Sequence, residues 1–225
     1  VAIAFDSAVD GGTNGGGANS LTFTFNNVAG NIVFVGGNGD SDILDVTSVT
    51  WNGVAMALVE RLQGGLSSLH DLYLYVSNGT PATGSNNVVV SATNNQTLRF
   101  GAVSYSGASL FAQPDAHTNH FDFLNPLTTP LVSIADNCWH VLVFDGFHSG
   151  AEAPAAGTGT TRRAFSTDTT WGLFDSNSAK TPAGSVSLAT QFSTIEQTAA
   201  HVMASFNPTA IIPPAVSASA YYYKA

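Results

Sequence analysis

Along most of this chain large apolar residues alternate with small polar ones, and the period is two rather than 3.6. The segment Val46–Val59, VTSVTWNGVAMALV, shows the pattern in full. Its Asn52-Gly53 pair is the favoured dipeptide for a two-residue type I′ turn, where both residues take positive φ. With that turn, Trp51 faces Val54, Val49 faces Met56 and Thr47 faces Leu58. One side of the ribbon is then apolar, while Thr50, Ala55, Ser48 and Ala57 make the other side small or polar. A slip of one residue would put Trp51 and Met56 on opposite faces, so the register specifies itself. The pattern turns Val49, Trp51, Val54, Met56 and Leu58 to the core and makes the hairpin a wall, not a working site.

The same period predicts strands at Val1–Val9, Ser20–Asn26, Asn31–Val35, Asp71–Ser77, Asn87–Thr93 and Leu98–Ser106. Further on it predicts Leu131–Ile134, Trp139–Phe147, Thr169–Phe174 and Gly184–Phe192. Glycine-, asparagine- and proline-rich strings such as GGTNGGG, GGNGDSD, SNGTPATGSNN and NSAKTPAGS punctuate them as turns. Many short strands with regular turns indicate an all-β fold, an antiparallel β-sandwich of jelly-roll type. Ser193–Phe206 carries two patterns. Ser193 and Glu196 have capping-box spacing for a helix, yet Thr198, Ala200, Val202, Ala204 and Phe206 alternate as a strand that GSVSLATQFS would meet as a hairpin. The strand is the preferred reading. Ser149–Arg163 reads as a long surface loop, and no break in composition divides residues 1–208, which are expected to form one domain. Residues 209–225 read as an extended tail, since Pro213 and Pro214 prevent a ladder; its Tyr221, Tyr222 and Tyr223 are candidate contacts with a neighbouring subunit.

Charge changes the list of partners. Charged residues are only 9% of the chain and the formal net charge is −9, whereas about a quarter of an ordinary domain is charged. Phosphate backbones are bound by Lys and Arg, and so are anionic lipid surfaces, so neither nucleic acid nor membrane is an expected partner. No run approaches the roughly 18 apolar residues of a spanning helix, and the first residues carry no signal-like stretch. Cys138 is the one cysteine, so no intrachain disulfide forms, and in CWHVLVF it reads as a small core residue.

Candidate chemistry is sparse. Asp40, Asp42 and Asp45 lie in a glycine-rich loop whose oxygens suit Ca²⁺, although the glycine precedes the acids and no Glu closes the loop; a solvated acidic loop is the simpler reading. His117 and His120 in DAHTNHFDF, beside Asp115 and Asp122, have metal-ligating types, but the segment reads as a proline-flanked loop with no common face. His140 reads as a core histidine. No nucleophile elbow and no phosphate loop is present, and no carboxylate pair stands out for glycoside hydrolysis, so no catalytic residue and no cofactor other than calcium is expected. Trp51, Trp139 and Trp171 fall inside apolar alternation as core residues. On DLYLYV, Tyr73 and Tyr75 oppose Leu72, Leu74 and Val76, so a second sheet or a neighbouring subunit has to cover one set. Asn78 and Asn95 head glycosylation sequons.

The string SVTWNGVAM, followed by LYLYV, a GT…NVVV turn and strand, and AVSYSG, resembles a β-sandwich module of bacteriophage structural proteins and large bacterial surface proteins. The likeness covers Val1–Ala108 and extends loosely through CWHVLVFDGF and AAHVMASF. It implies a non-enzymatic structural role in a surface assembly such as a phage virion, by head decoration, cementing or tail attachment. The implied partners are copies of the chain and other structural proteins of the assembly. The alternative is a carbohydrate-binding or adhesive module of an extracellular protein or filament. The matching motifs are packing and turn motifs and carry no catalytic residues.

Overall fold

Every residue of DLYLYV (Asp71–Val76), WHVLVFDG (Trp139–Gly146) and AAHVMASF (Ala199–Phe206) is buried, so each of these strands is covered on both faces. In contrast, SLTFTFNN (Ser20–Asn27) and LTTPLVS (Leu127–Ser133) alternate strictly between buried and exposed positions. These two patterns distinguish inner from outer layers in the computed structural model, which describes residues 1–28, 30–40, 45–63, 71–146, 153–166, 171–192 and 198–209.

Those residues form seventeen strands and no helix. The first nine are β1 (Ala4–Thr13), β2 (Ser20–Asn27), β3 (Ile32–Gly39), β4 (Val46–Trp51), β5 (Val54–Ala55), β6 (Ala57–Leu62), β7 (Asp71–Val76), β8 (Gly84–Ala92) and β9 (Leu98–Ser106). The remainder are β10 (Ala116–Asp122), β11 (Leu127–Ser133), β12 (Trp139–Gly146), β13 (Ala155–Ala156), β14 (Thr161–Phe165), β15 (Gly172–Asp175), β16 (Gly184–Gln191) and β17 (Ala199–Phe206). All named pairings are antiparallel. The inner sheets have the orders β1-β9-β3-β7-β6 and β10-β17-β12-β15-β14; the outer sheets are β2-β8-β4-β5 and β11-β16-β13.

The second set of orders repeats the first, strand for strand: β1–β3 correspond to β10–β12 and β6–β9 to β14–β17, while short β13 stands where β4 and β5 stand. Local bonds repeat as well. Ser104 donates to Asp6 Oδ2 at 2.8 Å, and its counterpart Ser205 donates to Asp115 Oδ2 at 3.1 Å. The Val33 amide donates to Ser77 Oγ at 3.1 Å, and the His140 amide to Ser176 Oγ at 3.2 Å. A bulge interrupts β6 between Leu58 and Glu60, and another interrupts β14 at the matching place, between Arg162 and Ala164. The chain is thus a tandem pair of sandwiches with one topology.

Three apolar clusters separate the four layers. Phe23, Phe25, Trp51, Tyr73, Tyr75 and Phe100 fill the first sandwich, and Leu131, Leu142, Phe144, Phe174 and Met203 fill the second. Between the inner sheets lie Phe34, Leu72, Leu74, Tyr105, Trp139, Trp171 and Phe206. Both faces of DLYLYV therefore find cover inside the chain, and the three tryptophans are core. The inner sheets touch at matching positions: Asn38 Nδ2 donates to Asp145 Oδ1 at 2.7 Å, and the two residues hold the same register position on β3 and β12.

The all-β antiparallel sandwich expected from the sequence is present, with four layers. Several local expectations change. Asn52 and Gly53 have φ of 50° and 75°, and Trp51 pairs with Val54 as the turn requires. But the hairpin parts at Met56, because the chain crosses from the outer sheet to the inner one, where Leu58 pairs with Tyr75. Val54 is consequently 61% exposed and Leu58 44% exposed instead of core. DAHTNHFDF is strand β10, and residues 155–165 contribute β13 and β14 rather than a bare loop. Ala199–Phe206 is a strand, but β16 pairs with β11 and β13 in the outer sheet, not with β17 as a hairpin; residues 193–197 lie outside the described residues.

Close approach of the inner sheets depends on Gly36. A Cβ there would meet Val143 Cγ2 at 2.5 Å and Leu173 Cδ2 at 3.0 Å. Gly36→Ala is expected to destabilise the fold by about 1–3 kcal/mol through overpacking. Gly17→Ala, where a Cβ meets nothing within 4 Å, should stay within about 0.5 kcal/mol. Urea unfolding of both variants checks the contrast.

Candidate functional site

The acids singled out in the sequence do not converge among the described residues. Asp40 is exposed, whereas Asp45 is buried, its carboxylate accepting from Gln96 Nε2 and, at 3.3 Å, from Asn94 Nδ2. Asp42 lies outside the described residues, as do Tyr221, Tyr222 and Tyr223. The tail leaves from Thr209, whose amide donates to Gly107 O at 2.8 Å and whose hydroxyl donates to Ala108 O at 2.9 Å. Because β10 is a strand, His117 and His120 sit three residues apart on opposite faces. His117 Nδ1 meets Glu60 Oε2 at 2.7 Å, linking β10 to β6. Burial raises the Glu60 pKa, but hydrogen bonds from His117 and the Arg61 amide outweigh it and leave the group below its ordinary value. His120 points the other way, toward Thr129 at 3.2 Å.

The groups with strongly altered titration are enclosed by the layers. Asp175 is fully buried and takes Arg163 Nε–H at 2.7 Å, the Tyr105 hydroxyl at 3.0 Å and the Asn177 amide at 2.9 Å. Burial keeps its carboxyl above the usual range despite the guanidinium. Cys138 donates toward Asn207 Oδ1 at 2.9 Å, and burial, with Asp115 nearby, pushes its thiol up to about 12. A thiol so protonated is no nucleophile at neutral pH.

His201 lies in the second sandwich with zero exposure. Its Nδ1 meets Thr129 Oγ1 at 2.7 Å and its Nε2 meets Thr190 Oγ1 at 2.6 Å. Both ring nitrogens are satisfied, and burial first, then His120, lowers its pKa to about 3. The counterparts of Thr129, Thr190 and His201 in the first sandwich are Phe23, Val90 and Phe100 by shared register. One copy thus fills this place with rings and the other with a hydrogen-bonded trio, which marks the histidine as core structure. His140 is also fully buried, neither ring nitrogen has a hydrogen-bond partner, and burial lowers it to about 4.

The accessible polar site lies on the outer face of the first outer sheet. A shallow hollow of about 450 Å³ opens between the Asn52-Gly53 turn and the start of β8, lined by Thr50, Asn52, Gly53, Ser85, Asn86, Asn87 and Val89. Its walls are tied from below. The Asn52 amide donates to Asn87 O at 2.9 Å, Thr24 Oγ1 donates to Asn87 Oδ1 at 3.3 Å, and Asn86 Nδ2 donates to Thr83 O at 2.9 Å. No lining side chain is ionisable. Reading by period two marks Thr50, Ser85, Asn87 and Val89 as solvent face and says nothing of a hollow; the signal that finds it is the comparison of TPATGSNNVVV (Thr80–Val90) with TPAGSVSLAT (Thr181–Thr190), where the paired asparagines lack a counterpart.

No protein-family model matches the chain, and no curated protein matches it.

The two depressed histidines set an acid limit. The unfolded chain protonates histidine near pH 6.5, whereas the folded chain holds His201 and His140 neutral down to about 3 and about 4. Their effect on stability is constant above pH 6.5 and becomes increasingly unfavourable as pH falls, because the unfolded state binds the extra protons. By pH 5 the expected loss is roughly 2 kcal/mol per histidine. Urea unfolding at pH 7 and pH 5 measures it. His201→Gln, whose amide can still bond both threonines, should remove about half of the difference.

Proposed function

We propose that this protein is a non-enzymatic structural component of a surface assembly, a phage virion component of the head-decoration, cement or tail-appendage kind, acting by subunit packing. The observation that carries the reading is the distribution of reactive groups. Cys138, His140, Asp145, Asp175 and His201 are all held between layers, and what faces outward from the outer sheets is largely uncharged. On β2 and β8 the outward positions are Ser20, Thr22, Thr24, Asn26, Ser85, Asn87, Val89 and Ser91; on β11 they are Thr128, Pro130 and Val132. A slab with two broad, largely uncharged faces suits repeated contacts with copies of itself and with other structural proteins. Its charge of −9 does not favour nucleic acid or an anionic membrane, and no helix among the described residues is long and apolar enough to cross a membrane.

Symmetric homo-oligomers are the common arrangement for such roles. The tail is the arm in this reading, since Thr209 is anchored beside Ala108 and the tyrosines follow it. Sedimentation and light scattering of the full chain should show concentration-dependent oligomers. Deletion of Pro213–Ala225 should leave the melting temperature within a few degrees and shift the particles to smaller species. A full chain that stays monomeric overturns the assembly role, and undiminished assembly of the truncated chain overturns the arm. The hollow beside Asn52 favours a second reading, a carbohydrate-binding or adhesive module outside the cell.

A further inference from the structure

We propose that the hollow between the Asn52-Gly53 turn and β8 is a binding site for a neutral saccharide. The inference deepens the second of the two readings and stands apart from the assembly role.

The lining selects for a neutral ligand. Thr50, Asn52, Ser85 and Asn87 bring hydroxyls and carboxamides, Gly53, Asn86 and Val89 complete the surface, and none of them titrates. Such groups pair with the vicinal hydroxyls of a sugar, each of which donates and accepts. A phosphate, carboxylate or ammonium ligand would find no counter-ion. Val89 offers an apolar spot for a face of ring C–H groups. The volume, about 450 Å³, falls within the range of small-molecule sites, and the open side leaves room for a chain to continue.

The site is formed before any ligand arrives. With its Oδ1 accepting from Thr24, Asn87 keeps its Nδ2 donors for a ligand, while Asn86, turned to the other face of β8, ties the start of the strand through Nδ2 bonds to Thr83 O and Gly84 O. The amide-to-carbonyl bond from Asn52 to Asn87 joins the turn to β8. Groups held in this way lose little entropy on binding.

The second sandwich serves as an internal control. By register with β2 and β11, Asn86, Asn87 and Val89 correspond to Val186, Ser187 and Ala189. In place of the β4–β5 hairpin it has, among the described residues, the two residues of β13. The same fold therefore stands without the asparagine pair, so packing does not demand it.

The test is amide chemical-shift mapping on the isotopically labelled full chain, titrated with neutral hexasaccharides of glucose, mannose and galactose. Saturable shifts are expected at Asn52, Gly53, Asn86 and Asn87 with at least one of them. Affinity should fall about tenfold, the loss of one good hydrogen bond, in Asn87→Ala and in Asn87→Ser, which installs the residue of the second sandwich. Both variants should keep the parent melting temperature, and Ser187→Ala should bind as the parent does. Absence of shifts at these residues with all three sugars overturns the proposal, as does binding unchanged in both asparagine variants. Particle size measured without sugar reports on the assembly role separately, so failure of one does not count against the other.

Discussion

Burial of the central strands of both inner sheets on both faces is the constraint on which the rest of the structure depends. A strand covered twice has no solvent side, so β3, β7, β12, β15 and β17 are buried at every position. Each large side chain placed there contributes roughly 1.5–3 kcal/mol, and each polar group left without a partner costs about as much. The polar groups in these layers are accordingly partnered across sheets. Asn38 meets Asp145 where the two inner sheets cross, and Asp175 gathers Arg163, Tyr105 and the Asn177 amide. Exceptions remain: neither ring nitrogen of His140 is bonded, nor are Trp171 Nε1 and Arg99 Nε and Nη1, and burial holds the histidine neutral.

Tandem repetition of one topology lets the two sandwiches be compared position by position. What both require is shared: the serine-to-aspartate bonds of Ser104 and Ser205, the serine caps of Ser77 and Ser176, and the bulges of β6 and β14. Where they part, a physical consequence follows. Phe23, Val90 and Phe100 pack without direction and without titration, while Thr129, Thr190 and His201 hold the corresponding place by directed bonds around a ring whose charging burial opposes. Acid sensitivity through this trio is thus a property of the second sandwich. The hollow, with its asparagines and its turn, is a property of the first.

Much of the fold was legible from alternation. Strand type, most strand limits, the I′ turn at Asn52-Gly53, the core placement of the tryptophans and the need to cover both faces of DLYLYV all follow from period two and turn chemistry. The repeat leaves a trace in the strings SNGTPATGS and SNSAKTPAGS, but its facing residues differ in kind, as Gly36 and Val143 do, and this hides it from a reading along the chain. DAHTNHFDF reads as a loop because the flanking Pro114 and Pro126 outweigh the weak alternation between them, whereas tertiary pairing with β17 makes it a strand. Leu58 was assigned to the core because local pairing cannot show where a strand leaves one sheet for another.

The sequence by itself determined that the chain is all-β, that its strands alternate with tight turns, and that its surface is nearly free of charge, because each of these depends on neighbours along the chain. Only the tertiary structure decided that there are four layers, that the inner two meet at Asn38 and Asp145, and that the asparagines of β8 stand beside the turn of a hairpin more than thirty residues earlier. Those facts depend on which sheet covers which, and that choice is made by contacts between residues far apart in sequence, about which a local pattern is silent.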